Sequence, residues 1–390
     1  MANSLMSTYS PLPVTFEKGD GAYLWDSNNK QYLDAISGIA VCSLGHARRE
    51  LAEALCDQAN KLVHTSNLYQ IDLQEKLADK LCELSAMDEV FFSNSGTEAN
   101  EAAIKLARLY ANKKGITNPA IVVVEGSFHG RTLAALSATA NEKIQQGFAP
   151  LVQGFIRVPY NDLDAIHKLI DEHPNIVAVM VEPVQGEGGV NIPAANYLSA
   201  ISELCKQQDW LFMLDEIQTG MCRTGKWFAF QHEPVKPDVM TLAKALGNGV
   251  PIGACLASGK AAGVFTAGTH GSTFGGNPLS CRAALAVIDV MQNNKLDEQA
   301  TRLGEYFLQA FTEQLADIPG VREIRGKGLM LGIELEQECP ELVGQALQQG
   351  VLINVTAGKV VRLLPPLILT TEQADQIIKT VVTLIKQLLK

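Results

Sequence analysis

From Glu89 to Leu246 the chain repeats one rhythm: a short apolar run, a polar or glycine-rich loop, then a helical pattern. The runs include E-V-F-F, A-I-V-V-V-E, N-I-V-A-V-M-V-E-P and W-L-F-M-L-D-E. Strands apolar on both faces suit a parallel sheet covered by helices on each side, where an alternating strand would bury polar groups. The repeat therefore predicts an α/β fold with a mostly parallel central sheet in a large domain. In such sheets, ligands collect outside the carboxyl ends of the strands. The residues that close each run are the first places to look for chemistry.

A chain of 390 residues is too long for one small core. On either side of the α/β rhythm the pattern changes. The first 40 residues are turn-rich, with a hairpin turning at Asp26–Lys30. Helical patterns follow at Arg49–Leu62, Leu73–Leu84 and, within the α/β region, Tyr197–Gln207. A long one runs from Asn277 towards Leu315, with a break near Asn293–Asn294. The last 70 residues read as a smaller α+β unit: a bent strand pair over R-E-I-R-G-K-G-L-M-L-G-I-E-L-E, a helix, the segment V-V-R-L-L-P-P-L, and a terminal helix from Thr371. The expected division is a large domain over 41–280 and a small α+β domain over 281–390, with segment 1–40 packed against the small one.

Composition narrows the classes of function. A net charge of −10 argues against a nucleic-acid backbone or an anionic membrane as partner. No apolar stretch reaches the roughly 18 residues a bilayer span needs, and Met1–Pro13 lacks a secretory pattern. The eight cysteines form no C-x-x-C pair, so neither a metal site nor a disulfide framework is expected. Reduced thiols in a cytoplasmic protein are the expectation.

Two residues then need a reason. Asp215 ends the apolar run W-L-F-M-L-D, and Lys244 sits in a second apolar stretch, D-V-M-T-L-A-K-A-L, followed by Gly-Asn-Gly. Buried charges are costly unless paired or neutralised. Pyridoxal phosphate (PLP) explains both, since it wants an acid at its ring nitrogen and an amine for its aldehyde. Lys244 would supply an amine that desolvation keeps neutral, free to carry a proton between substrate and cofactor. Asp215 would hold the ring nitrogen protonated, although a helix-capping aspartate fits that position as well. Gln218 can reach the ring hydroxyl, and Phe128 can stack on the ring face or simply fill a core. In F-F-S-N-S-G-T-E-A-N-E, residues Ser95, Gly96 and Thr97 join a strand to a helix whose N-terminus suits a phosphate. Thr273, in H-G-S-T-F-G-G-N-P, offers a second phosphate hydroxyl. Arg131 and Arg362 are candidate carboxylate forks. In V-E-P-V-Q-G-E-G-G, Glu182 stands at another strand end and Glu187 lies in a glycine-rich loop.

These segments together resemble the class III (ω-amino-acid) aminotransferases among the fold type I PLP enzymes. S-G-T-E-A-N-E, F-H-G-R-T, E-P-V-Q-G-E-G-G, L-D-E-I-Q-T-G-x-x-R-T-G, A-K-A-L-G-N-G-x-P-I-G, H-G-S-T-F-G-G-N-P and R-L-L-P-P-L carry the likeness over nearly the whole chain. The resemblance implies that Lys244 binds the cofactor covalently, Asp215 meets the ring nitrogen, Gln218 lies near the ring hydroxyl and Phe128 stacks on the ring. It implies that Gly96 and Thr97 bind phosphate, and that Thr273 reaches the phosphate of a second subunit, making a homodimer with shared active sites. Arg131, with Ser272 nearby, would take the α-carboxylate of N-acetylornithine. Arg362 would take that of glutamate or 2-oxoglutarate, and Glu187 would pair with Arg362 when the ω-amino substrate is bound. The implied reaction moves the δ-amino group of N-acetylornithine to 2-oxoglutarate, giving N-acetylglutamate 5-semialdehyde and glutamate, a step of arginine biosynthesis.

Relatives acting on free ornithine carry a Tyr where this chain has Ile39, and an apolar side chain there favours an N-acylated substrate. Succinylornithine, ornithine, 4-aminobutyrate and lysine stand as other amine donors, and an aminomutase as another reaction on the same scaffold. The sequence departs from the family at Ala47-Arg48-Arg49, where a helix-starting proline is missing, and at Cys42, a position often polar in relatives.

Overall fold

The computed structural model describes residues 4–390; residues 1–3 of the expected N-terminal segment lie outside the described residues. The chain opens with an antiparallel ribbon, β1 (Phe16–Asp20), β2 (Tyr23–Asp26) and β3 (Gln31–Asp34), with the expected turn between β2 and β3. The central sheet follows: β4 (Glu89–Ser93), β5 (Ala120–Val124), β6 (Phe155–Val158), β7 (Ile176–Val181), β8 (Leu211–Asp215), β9 (Val239–Leu242) and β10 (Gly253–Ala257). Its order is β4-β10-β9-β8-β7-β5-β6. The five strands from β6 to β9 pair in parallel, while β10 runs antiparallel between β9 and β4. This is the mostly parallel α/β sheet that the doubly apolar runs predict.

The unbroken apolar runs are explained by two covered faces. Val122, Val124, Val179, Val181, Phe212 and Leu214 join one core cluster with Leu198, Ile201 and Leu204 of the helix Tyr197–Gln207. The intervening residues Ile121, Val123, Ala178, Met180, Leu211 and Met213 join a second cluster with Ala103, Ile104 and Ala107 of the helix Gly96–Lys113. Side chains alternate across a strand, so each strand feeds both cores and has no face left for polar residues.

Beyond the sheet, the helices Pro278–Asn293 and Leu296–Leu315 meet at Asn294–Lys295, one residue past the expected break. A four-stranded sheet follows, built from β11 (Val321–Lys327), β12 (Met330–Leu335), β14 (Asn354–Thr356) and β15 (Val360–Leu363) in the order β11-β12-β15-β14. Strand β13 (Val351–Leu352) leaves that unit and pairs in parallel with β3, placing Val351 opposite Leu33. The first helix after the ribbon, Arg49–Ala59, ends three residues before the expected Leu62. There the Asn60 amide donates to the Cys56 carbonyl (2.9 Å), competing with continuation of the helix. At its start Arg48 provides no side-chain cap and Ala47 has φ +50°, consistent with the missing proline. No helix among the described residues is long and apolar enough to cross a membrane, and no group of three metal-ligating side chains was found among them.

The loop from Asp34 to His46 enters the future site. Ser37, Gly38, Ile39 and Ala40 have φ values of 44°, 63°, 65° and 60°, a left-handed turn that costs non-glycine residues roughly 1–2 kcal/mol each. Asp34 Oδ1 holds it by accepting the Ile36 and Ser37 N–H groups (3.0 and 2.8 Å), and Ser37 Oγ donates to the Leu364 carbonyl (2.6 Å). The other Asp34 oxygen meets His46 Nε2 at 2.8 Å. Burial pulls the His46 pKa down, but the bond to Asp34 outweighs it and raises the value to about 9. A raised folded-state value means stability that is full below the unfolded pKa of about 6.5 and lost as pH rises through 9. Thermal or urea unfolding of wild type and His46→Gln should therefore differ most below pH 6.5, by about 1–2 kcal/mol once solvent screening of this partly exposed ring is allowed for. The gap should narrow towards pH 9.5. A gap independent of pH would show that His46 is not the titrating group.

Candidate active site

Strands β8 and β9 lie side by side, with Asp215, the last residue of β8, opposite Thr241. Two residues beyond β9 comes Lys244, at φ +44° in a short 3-10 turn over Lys244–Leu246. A non-glycine residue there is strained, and such strain persists where the surroundings fix a side chain for a task. Asp215 and Lys244 face one cavity of about 370 Å³, whose walls also carry Ser95, Gly96, Thr97, Phe128, Arg131, Glu187 and Gln218. Adjacent parallel strands thus deliver an acid and an amine to one hollow.

The two groups are prepared differently. Among the described residues the Lys244 amine has neither a hydrogen-bond nor an ion-pair partner. Burial lowers its pKa below the ordinary lysine value, against the opposing charge of Glu187, which enlarges the neutral share. Asp215, in contrast, is buried and braced. Its Oδ2 accepts from Asn100 Nδ2 and meets His129 Nδ1, each at 2.8 Å, and its Oδ1 accepts from the Ile217 N–H (3.1 Å). Asn100 also donates to the His129 carbonyl (2.7 Å) and accepts from Thr241 Oγ1 (2.7 Å). Burial disfavours the imidazolium of His129, yet the bond to Asp215 and its charge raise the pKa overall. His129 Nδ1 thus braces the Asp215 carboxylate.

Glu182 ties the walls together, accepting the Phe128 N–H (2.9 Å) and the Gly186 N–H (3.2 Å), with burial pushing its pKa upward. The Arg131 guanidinium lies 5.7 Å from the centroid of the Phe128 ring and has no carboxylate partner among the described residues. At the other end of the hollow, Ser95 caps the helix Gly96–Lys113 by accepting the Glu98 N–H. Thr97 Oγ1 accepts from the Arg131 and Thr132 N–H groups (3.2 and 3.3 Å), which draws the loop 130–132 over the helix start. A Cβ on Gly130, at φ +138°, would stand 2.2 Å from that hydroxyl, so only glycine permits the approach.

Arg362, on β15, is buried. Its Nη1 donates to Glu187 Oε1 (2.6 Å) and lies 3.5 Å from Gln218 Oε1. Burial raises the pKa of Glu187, but Arg362 more than compensates and leaves it below the ordinary value. Glu187 is therefore the ionised cover of a buried arginine.

Four expected residues fall outside the cavity lining, among them Arg362, which stands behind Glu187 and Gln218 of the wall. Ser272 and Thr273 line an adjoining hollow with Glu98, His270 and Phe274, sharing only Asn94 with the first. Ser272 Oγ there accepts from the Gly275 N–H (3.0 Å) and the Asn94 amide (3.3 Å). Ile39 is 37% exposed, and the same loop sends Val41 into the cavity wall. In the other direction, the sequence did not single out Asn100, Ile217 or Asn354. Asn100 lies inside the S-G-T-E-A-N-E segment, one helical turn past the phosphate residues, and that position was its only signal.

The hollow fits pyridoxal phosphate on four counts. It has an unpartnered amine biased towards neutrality, a buried carboxylate braced by an amide and an imidazole, a helix N-terminus with a glycine cradle, and an aromatic ring in the wall.

Comparison with known proteins agrees. The model of the family described as aminotransferase class-III matches residues 5–385. The acetylornithine aminotransferase of Nitrosomonas europaea is 56% identical over 381 residues, covering 98% of this chain and 97% of that one. The crystal structure of acetylornithine aminotransferase from Elizabethkingia anophelis superposes with a TM-score of 0.87 at 37% identity, over 98% and 96% of the two chains. An ornithine aminotransferase from Toxoplasma gondii, described with PLP at partial occupancy in its active site, superposes at 0.94 with 36% identity over 99% and 94%. The backbone is thus common to enzymes of different amine specificity. With its family matched end to end and its hollow suited to the cofactor, the chain is a PLP-dependent enzyme belonging to the class III aminotransferases.

Proposed function

We propose that the protein transfers the δ-amino group of N2-acetyl-L-ornithine to 2-oxoglutarate, yielding N-acetylglutamate 5-semialdehyde and glutamate, a step of arginine biosynthesis. The observation that carries the reading is a buried arginine, Arg362, standing directly behind the hollow that holds Lys244 and covered by Glu187 of its wall. Aminotransfer in two halves needs one pocket to accept a substrate with a single carboxylate near the entrance and then a dicarboxylate. Arg131, unpaired at the mouth, takes the α-carboxylate of acetylornithine. Arg362 is covered by Glu187 in that half-reaction and takes the α-carboxylate of 2-oxoglutarate or glutamate once Glu187 swings away. The full-length identity to an acetylornithine enzyme supports the N-acylated substrate, as does the apolar Ile39 in the entrance loop.

When bound, pyridoxal phosphate supplies an electron sink for the pair released when the C–H bond beside the substrate nitrogen breaks. Everything else falls to this chain. Lys244 Nζ is the covalent anchor and the base that moves the proton from that carbon. Asp215 holds a proton on the pyridine nitrogen, with Asn100 and His129 holding Asp215. Phe128 would lie against the ring, Gln218 would serve its hydroxyl, and Ser95, Gly96 and Thr97 would hold the phosphate at the helix start. Thr273 and Ser272 complete the site of a second copy in a homodimer with shared active sites. In support, Leu68, Tyr69 and Phe274 are exposed apolar residues, and Asn67 binds the Ser272 and Gly275 carbonyls (3.0 and 3.1 Å), so their loops form one surface.

We take the large domain as 41–280 and the small one as 281–390 with segment 1–40, and the enzyme as cytoplasmic, without nucleic-acid or membrane partners.

The test is a half-reaction screen by absorbance on the cofactor-loaded protein. Acetylornithine should be converted with a kcat/KM at least tenfold above succinylornithine, ornithine and 4-aminobutyrate. Preference for free ornithine would overturn the substrate assignment. Glu187→Ala should leave the 2-oxoglutarate half intact and weaken discrimination against glutamate-like amines in the other half. Unchanged kinetics in both halves would remove the gate.

A further inference from the structure

We infer that Asn354 and Thr356, two residues of β14, are positioning residues that hold the Glu187–Arg362 pair so that only the Glu187 side chain can move. The inference rests on the reading of Arg362 as the dicarboxylate site.

The register of the small sheet creates the arrangement. β14 and β15 are antiparallel, with Asn354 directly opposite Arg362. Asn354 Oδ1 accepts from both Arg362 Nε (3.1 Å) and Nη2 (2.8 Å), gripping one edge of the guanidinium. The other nitrogen, Nη1, is left for Glu187 and, at 3.5 Å, Gln218, two residues of the cavity wall. Arginine offers five donors in a fixed fork, so fixing one edge fixes the direction of the other. Thr356 lies two residues along the same strand, on the same face, and its hydroxyl donates to the Glu187 backbone carbonyl. From a third side Arg325 binds the carbonyls of Gly189 (2.7 Å) and Val190 (3.0 Å), and Arg325 is itself anchored on Glu334 (2.7 Å). The backbone beside Glu187 is thus pinned while its carboxylate, 36% exposed, keeps room to turn.

The neutrality of the Asn354 clamp matters. A carboxylate at that place would hold the guanidinium as well, but would neutralise it permanently. Arg362 would then no longer call for a substrate carboxylate when Glu187 leaves. The amide grips geometry while leaving the charge unspent. No motif marks the residue in V-L-I-N-V-T; only the pairing with β15 reveals it.

The discriminating variant is Asn354→Asp, whose charge acts on one half of the cycle only. In the cofactor-loaded enzyme, KM for 2-oxoglutarate should rise at least tenfold with kcat within about threefold. The acetylornithine half-reaction should change less than twofold. Binding of glutarate, a dicarboxylate that cannot react, should weaken in parallel by calorimetry. Asn354→Ala, which frees the guanidinium without adding charge, should raise KM for 2-oxoglutarate less than Asn354→Asp does. Thr356→Val should loosen the cover and blur discrimination between the halves without altering glutarate affinity. Equal losses in both half-reactions for Asn354→Asp, or no loss in either, would overturn the clamp. Should wild type itself fail to use 2-oxoglutarate as acceptor, the functional reading falls first, and glutarate binding still reports on the clamp by itself.

Discussion

Lys244→Ala is expected to lose at least four orders of magnitude in turnover while the protein folds and still binds pyridoxal phosphate. Two roles vanish together, the covalent anchor and the proton carrier, and a positioned proton-transfer group alone contributes roughly 10²–10⁴-fold. Folding should survive because the lysine amine has no partner to orphan and removing it relieves a desolvated charge. The backbone at φ +44° stays as strained for Ala as for Lys, so no stabilisation is expected from that source. Retention of cofactor through the helix start, Thr97 and the Asp215 side of the hollow should appear as cofactor that co-elutes on gel filtration. Turnover above about one per cent of wild type would mean that another group carries the proton.

Asp215→Asn is the second large effect. The substitution keeps size and shape but removes the charge that meets His129 Nδ1 and would support a protonated ring nitrogen. Losing one preorganised electrostatic contact of this kind costs about 10²–10³-fold in kcat. The loss should lie in the proton-transfer step and appear equally in both half-reactions, unlike the one-sided effect of Asn354→Asp. Stability should also fall, because Asn100 Nδ2, Ile217 N–H and buried His129 Nδ1 all lose a charged partner. Breaking a buried pair costs about 3–5 kcal/mol when one partner is deleted, and the isosteric amide should cost less. The His129 pKa, raised in large part by Asp215, should drop towards or below its ordinary value. An NMR titration of that ring would record it. A kcat within a few-fold of wild type would show that the acid is structural.

How much of this was legible beforehand follows from what each feature depends on. The parallel sheet was written in the doubly apolar runs, because burial on two faces imposes composition directly. Strand β10 was not distinguishable from its neighbours: G-A-C-L-A is as apolar as a parallel strand, and direction leaves no trace in composition. Strand β6 and the helix Leu163–Glu172 escaped notice because F-I-R-V is short and lies at the sheet edge. Asp215 and Lys244 stood out because each was a charge in an apolar setting. His129 lies in the F-H-G-R-T motif, but its partner is 86 residues away and only the fold supplies it. Asn100 and Asn354 are ordinary polar residues whose meaning lies in the pairings with Asp215 and Arg362. Ser272 and Thr273 do not meet the cavity in the single chain, and a second copy is what the proposal asks of them.

The central claim is that Lys244, beside Asp215, is the residue to which the cofactor attaches. Borohydride reduction of the cofactor-loaded protein, followed by digestion and peptide mass mapping, tests it most directly. The account predicts the cofactor's mass on the peptide containing Lys244 and on no other lysine, with labelling abolished in Lys244→Ala. Cofactor fixed to a different lysine, or no fixation in a protein that still turns over, would contradict it.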